Sequence, residues 1–310
     1  MYLKTKYLFG IILVILLVFT GCASRTNTNT NDKLNVVATT TLLADLADVI
    51  GGEHVNVNGL MGPGIDPHLY QASAGDVTLM QNADVVVYNG LHLEGKMGEI
   101  FESIKVQGSE VICIENGIKE DDLLQDEDDS NVYDPHVWFD VSLWKDAARL
   151  FAHDLSKIDQ QHASDFNANL EQYLQELDEL DQYIKNRTSE VSQEQRVLIT
   201  AHDAFRYFGK AYGFEVIGLQ GTSTDTEAGT SDVSSLAEFI TQRKIKAIFV
   251  ESSVPPKTIE ALQAAVKAKG FDVSIGGELY SDSLGGVESD APTYILTFKS
   301  NIDTIVDALK

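Results

Sequence analysis

One uninterrupted amphipathic stretch, Asp159 to Ser192, constrains this chain more than any other feature. Phe166, Leu170, Tyr173, Leu174, Leu177, Leu180 and Ile184 recur at three- and four-residue intervals with no Gly or Pro among them. That spacing predicts a single helix with an apolar stripe. About 28 helical residues at 1.5 Å each span roughly 40 Å, enough to cross two lobes. On its N-terminal side, Leu34–Thr39, Val55–Met61, Asp84–Tyr88 and Glu110–Ile114 read as strands, with helical spacing at Leu42–Gly52 and Ala74–Ala83. On its C-terminal side, Arg196–Thr200, Glu215–Leu219, Lys246–Val250 and Asp272–Ile275 repeat the pattern. Strands alternating with helices imply parallel sheets. The expected fold class is therefore α/β: two (β/α) lobes with parallel sheets, 34–155 and 195–310, joined by one backbone helix within 156–194. A rigid rod resists wide hinge closure, and open α/β sheets bind ligands beyond the carboxyl ends of their strands. A site in the cleft between the lobes is the natural expectation.

Charge narrows the partners. The 310 residues carry 23 Lys and Arg against 47 Asp and Glu, a net charge of −24. Nucleic acid is excluded as a partner, because its binders replace phosphate counterions with a basic stripe. A receptor for something cationic fits. Two cysteines, Cys22 and Cys113, leave no disulfide framework, Cys-rich zinc finger or iron–sulfur cluster. Cys113 falls inside a strand and reads as a small buried hydrophobe. Glu120–Asp134 concentrates eight acids, and like charges so dense predict a solvated loop.

The N-terminus gives an address. MYLKTKYLFGIILVILLVFTGC has a basic start at Lys4 and Lys6, then a short apolar core. It reads as an export signal over 1–21, too short for a stable membrane span. The ending resembles a bacterial lipoprotein box, with Phe19 where leucine is usual and Cys22 as the lipidated first residue of the mature chain. Residues 22–33, with no large apolar side chain after the cysteine, form a flexible tether.

Seven histidines carry the possible chemistry. His153 and His162 lie among polar helical neighbours and His54 in a turn, so all three are expected on a solvated surface. His68 in GPGIDPHLY and His136 in YDPHVWFD share the tripeptide Asp-Pro-His. Proline fixes its own φ and extends the preceding Asp, which stiffens the loop where the imidazole leaves it. Asp-Pro is also ordinary turn chemistry; the repetition argues for ligands. His202 in TAHDAF follows a strand at its carboxyl end, and Asp282 in GELYSDSLG lies on a loop after the last strand. On spacing alone His202 is evenly balanced between ligand and helix cap, and Asp282 is the weakest of the four. Three neutral imidazoles and one carboxylate would suit a divalent transition metal: zinc as a tetrahedron, manganese if the carboxylate is bidentate. Asp66 and Asp134 would moderate the charge through hydrogen bonds to the ligands. Glu251 and Glu278 are the replacements should Asp282 point elsewhere. Gly90-x-x-x-x-Gly95-Lys96 after a strand mimics a phosphate-binding loop, but Met97 stands where a hydroxyl must hold magnesium, and LHLE is bulky and acidic. His92 then reads as a cleft-wall or packing residue.

The segments GPGIDPHLY, YNGLHLEGKMGE, YDPHVWFD, TAHDAFRYFGKAYGFEVIGLQG and IFVESSVPPK together resemble the metal-binding solute-binding lipoproteins of bacterial zinc and manganese ABC importers, the TroA-like group. The likeness extends over nearly all of 34–310. It implies two (β/α) lobes on a long backbone helix, with His68, His136, His202 and Asp282 as ligands in that chain order. It implies one Zn²⁺ or Mn²⁺ per chain as cargo, and as partners a membrane permease with its cytoplasmic ATPase. It also implies a monomer held by its lipid at the outer side of the cell membrane. The region where zinc-only members carry a His-rich loop is acidic here, and His202 stands where many manganese members place Glu. The resemblance is thus strongest to members that take either ion. Two other functions compete. An exported zinc hydrolase lacks HExxH or GxSxG and an evident general base, so no enzyme is expected. A surface adhesin lacks any adhesive repeat.

Overall fold

The computed structural model describes residues 33–126, 129 and 131–310. The signal 1–21, Cys22 and the tether up to Asp32 lie outside the described residues. No described helix is long and apolar enough to cross a membrane.

The N-terminal half is built on a four-stranded parallel sheet of β1 (Leu34–Ala38), β2 (Val55–Gly59), β3 (Val85–Tyr88) and β4 (Glu110–Cys113), in spatial order β2-β1-β3-β4. Val36, Val37, Val85, Val86 and Val87 are buried, as continuous β-branched runs should be when helices cover both faces. Helix α1 (Thr41–Gly51) starts where Thr40 accepts the Leu43 N–H and buries Leu42, Leu43, Leu46 and Ile50. Helices α2 (Ala74–Gln81) and α3 (Gly98–Gln107) follow. Met80, Phe101 and Ile104 from them pack with Val37 and Val86 in a separate apolar cluster.

Helix α4 (Val141–Ile158) leads into α5 (Ala163–Thr188), the expected rod. Its 26 residues extend about 39 Å. It is shorter than the hydrophobic period allows, because Asp159 accepts both the His162 N–H and its imidazole and starts the helix afresh. Phe166, Leu170, Tyr173, Leu177, Leu180 and Ile184 are buried against α4, α1, α6 (Arg206–Tyr212) and α9 (Tyr294–Leu309).

The C-terminal half pairs β5 (Val197–His202) with β6 (Glu215–Gln220) and β7 (Ala247–Glu251) with β8 (Ser274–Leu279), both parallel; β5 runs beside β7. Helices α7 (Thr230–Arg243) and α8 (Lys257–Ala268) cover them. The result is an α/β fold with parallel sheets and nine α-helices among the described residues. One hydrophobic cluster runs through both halves, from Val36 and Trp138 to Phe205, Phe298 and Leu309. The sheets are separate, but the halves share a core.

The acidic segment is less free than its charge implies. Gln125 bridges Tyr133, and α6 holds its backbone: Arg206 donates to Gln125 O (2.8 Å), Lys210 to Asp122 O (3.2 Å), and Leu124 N–H to the Tyr207 hydroxyl (3.0 Å). Glu120, Asp121 and Asp129 are exposed while Leu123 and Leu124 pack on the core and Asp134 is buried.

Candidate metal centre

His68, His136, His202 and Asp282 converge although 214 positions separate the first from the last. All four are buried, and one ligating atom from each lies within 4.8 Å of the others. Among the described residues this is the one group of three or more His, Cys, Asp or Glu so arranged.

The two Asp-Pro-His copies share one local device. Asp66 Oδ1 accepts the His68 backbone N–H (2.9 Å), and Asp134 Oδ1 accepts that of His136 (3.0 Å). An aspartate bonding the N–H two residues on is an Asx-turn, and with the proline it fixes where each imidazole leaves the chain. His202 is the last residue of β5 and not the residue after it. Asp282 lies on the loop after β8, where the Trp138 indole donates to the Ser281 carbonyl (3.0 Å).

The imidazoles face one another through Nε2. His136 Nε2 is 3.3 Å from His68 Nε2 and 3.3 Å from His202 Nε2. Asp282 Oδ1 lies 3.3 Å from His136 Nε2, and Oδ2 lies 3.5 Å from His202 Nε2. A zinc tetrahedron with bonds of 2.0–2.1 Å has edges of about 3.3–3.4 Å, so these separations match the edges of a metal cage. Both carboxylate oxygens face imidazoles, so a bidentate grip suited to a harder ion is equally available. Ser253 donates to Asp282 Oδ2 (3.0 Å), whereas Oδ1 is buried with no hydrogen-bond partner. A buried orphan acceptor is costly unless something positive meets it.

Behind the cage stand two more carboxylates. His136 Nδ1–H donates to Asp134 Oδ1 (2.7 Å), and His202 Nδ1–H to Glu251 Oε2 (2.6 Å). This fixes the tautomer that leaves the Nε2 lone pair for a metal. Burial alone would lower both imidazole pKa values, but Asp134 and Asp282 hold His136 above its ordinary value, and Glu251 and Asp282 hold His202 well above. Burial pushes Asp282 up, yet His202 and His136 outweigh it and hold the carboxylate well below its usual range. His68 has no such brace. Burial drops it to about 3, against partial compensation by Asp282.

The structure departs from the sequence reading at Asp66, at Glu251 and at the His54–His162 pair. Asp66 does not brace an imidazole; beyond the His68 N–H it takes the Thr224 hydroxyl (2.6 Å). Glu251 is not a spare ligand but the brace of His202, and its backbone contact, His202 N–H to Oε1 at 2.9 Å, adds a second hold. The signal for it was its place at a strand's carboxyl end, the same logic that singled out His202. His54 and His162 are half-buried and stacked on each other (centroids 3.9 Å apart), with Asp165 and Asp159 as their respective carboxylates. His92 is exposed, outside the cage, on the wall of a cavity of about 470 Å³ with Tyr88, Glu115 and Tyr133.

An α/β frame that closes three imidazoles and a carboxylate around one buried point defines a protein of the metal-binding class, its candidate donors coming from both halves of the chain. The chain belongs to the family described as ZnuA, zinc-uptake complex component A, periplasmic, whose pattern matches residues 36–308. It is 47% identical over 292 residues to the zinc-binding protein TroA of Treponema pallidum (strain Nichols), covering 94% of each chain. It is 44% identical over 304 residues to the manganese-binding lipoprotein MntA of Bacillus subtilis (strain 168), covering 98% of this chain and 99% of that one. The solved structure of the periplasmic zinc-binding protein TroA from Treponema pallidum superposes with a TM-score of 0.86 at 48% identity, over 90% of this chain and 99% of that one.

Proposed function

We infer that this chain is the extracytoplasmic binding component of an ABC importer. It captures one Zn²⁺ or Mn²⁺ at His68, His136, His202 and Asp282 and hands it to a membrane permease driven by a cytoplasmic ATPase. The observation that carries this reading is the buried cluster of four donor side chains, one of whose carboxylate oxygens has no hydrogen-bond partner. Its relatives are named for zinc and for manganese, and a carboxylate that can bind through one oxygen or two accommodates both. The protein acts as a monomer, lipidated at Cys22 and held off the membrane by residues 22–33. Its working parts are the lobes 34–155 and 195–310 with the connector 156–194.

Capture, not catalysis, fits the donor set. A zinc hydrolase keeps an open position for water, whereas four protein groups are available here to complete the shell. The binding chemistry belongs to the chain: Asp134 and Glu251 orient their imidazoles, Ser253 orients Asp282, and burial excludes water that would compete for the ion.

The test is elemental analysis of the chain purified without added metal, followed by zinc–manganese competition. One equivalent of metal is expected, and the His136→Ala chain should retain much less. Full retention by that variant would remove the site. Labelling with radioactive palmitate, lost in Cys22→Ala, checks the anchor.

A further inference from the structure

The segment Asn89–Glu94, the phosphate-loop mimic, has no part in the cage, yet it is among the most tightly held turns in the molecule. Gly90, Leu91 and His92 all adopt positive φ (85°, 51° and 64°). Left-handed backbone costs about 1–2 kcal/mol at each non-glycine residue, and such strain persists only where its surroundings enforce it. At Gly90 a Cβ would lie 2.6 Å from Glu115 Oε2 and 2.7 Å from Cys113 Sγ, so glycine is required there.

What enforces the turn is a buried carboxylate. Glu94, 4% exposed, accepts the Asn89 N–H (2.9 Å), the Gly90 N–H (3.3 Å) and the Thr39 hydroxyl (2.6 Å). Glu115 Oε2 takes the Leu91 N–H (2.9 Å), and the Glu115 N–H returns to Asn89 O (3.0 Å). So held, the Asn89 amide donates to the carbonyl of Pro135 (3.0 Å), the residue directly before His136. The preceding carbonyl, Asp134 O, takes the Tyr207 hydroxyl (3.0 Å). Both peptide groups leading into His136 are thereby fixed from outside their own loop.

We propose that the Asn89–Glu94 turn is a bracket for His136: Glu94 holds the turn, and the Asn89 amide sets the Pro135 carbonyl, so both are positioning residues for metal affinity and coordination geometry. This rests on the metal-capture reading above. Neither residue touches the ion. The strained backbone is the cost of aiming one amide at one carbonyl.

The test uses the full chain and Co²⁺ alone, whose visible absorption reports coordination geometry, together with zinc competition. Asn89→Ala and Glu94→Gln are expected to weaken zinc binding about 10–100-fold, the usual effect of losing a group that orients a ligand, and to alter the cobalt bands. Thr39→Val, which removes one of the three donors to Glu94, should give a smaller change of the same kind, and it serves should the other two fail to fold. Met80→Ala, buried in the other cluster of the N-terminal sheet, controls for stability: its Tm falls while zinc affinity and cobalt spectrum stay those of the unaltered chain. Bracket variants that lose Tm but keep the unaltered spectrum and affinity overturn the proposal. An unaltered chain that takes up no cobalt overturns the metal reading, and the bracket with it.

Discussion

The two Asp-Pro-His loops begin alike and end differently. Each Asp accepts the N–H of its His at nearly the same distance, 2.9 and 3.0 Å. Around His136, however, Asp134 grips the ring itself, Tyr207 and Asn89 donate to the two carbonyls before it, and Arg206 approaches Asp134 Oδ2 at 3.7 Å. The His68 ring has none of this. Its loop contacts the other half through Thr224 on Asp66 and Gly64 N–H on Ser283 Oγ (2.9 Å), while Ile65 and Leu69 stand 42% and 47% exposed. A repeated motif sets where an imidazole starts; the contacts beyond the motif decide how firmly it stays. His136 belongs to the frame, and His68 to the cover.

This contrast orders the expected effects. Four donors sharing about 10–16 kcal/mol of zinc binding contribute about 2.5–4 kcal/mol each. His136→Ala should therefore weaken zinc by about two to three orders of magnitude in chelator competition. His68→Ala should cost about tenfold less than that, since its ring leaves no buried carboxylate brace unpaired; equal losses would break the contrast. Next, Asp134→Asn removes the ring acceptor and should cost about 10–100-fold.

The metal-free protein offers a pH test. The His68 pKa is lowered in the fold, so the unfolded chain binds the extra proton and stability falls as pH drops below about 6.5. One pKa unit corresponds to about 1.4 kcal/mol, so the His68 contribution amounts to about 2 kcal/mol between pH 6.5 and 5. His136 is raised, so its contribution is present at low pH and is lost as pH rises through its folded value. In urea titrations the stability gap between the unaltered chain and His68→Ala should narrow on acidification, and that for His136→Ala should widen. Parallel gaps would contradict the different surroundings of the two rings. Smallest of all, Asp66→Asn should change zinc affinity by no more than about threefold, because an amide oxygen still accepts the His68 N–H.

Much of this was legible in the sequence where the signal is local. The eight strands of the described residues appear within a few residues of the predicted segments: β3 and β5 because a strand covered on both faces reads as a near-continuous apolar run, and β2 because Val55 and Val57 alternate with asparagine. The doubled Asp-Pro-His and the strand-end position of His202 also pointed to the cage, and Asp282, weak by spacing alone, completes it. What was not legible depends on neighbours far along the chain. Glu251 braces His202 only because β7 lies beside β5. His54 stacks on His162 because the start of α5 docks beside the turn before β2. Asn89 meets Pro135, 46 positions further on, only because the loop after β3 lies beside the second Asp-Pro-His loop.

The apolar cluster that runs unbroken from Val36 to Leu309 has a consequence for unloading. Separating the halves would wet side chains such as Trp138, Phe139, Phe205 and Phe298, each buried to within 3% of fully, at roughly 25 cal/mol for every square ångström of apolar surface bared. An unloading route that leaves this cluster intact, moving only residues around the site, avoids that cost.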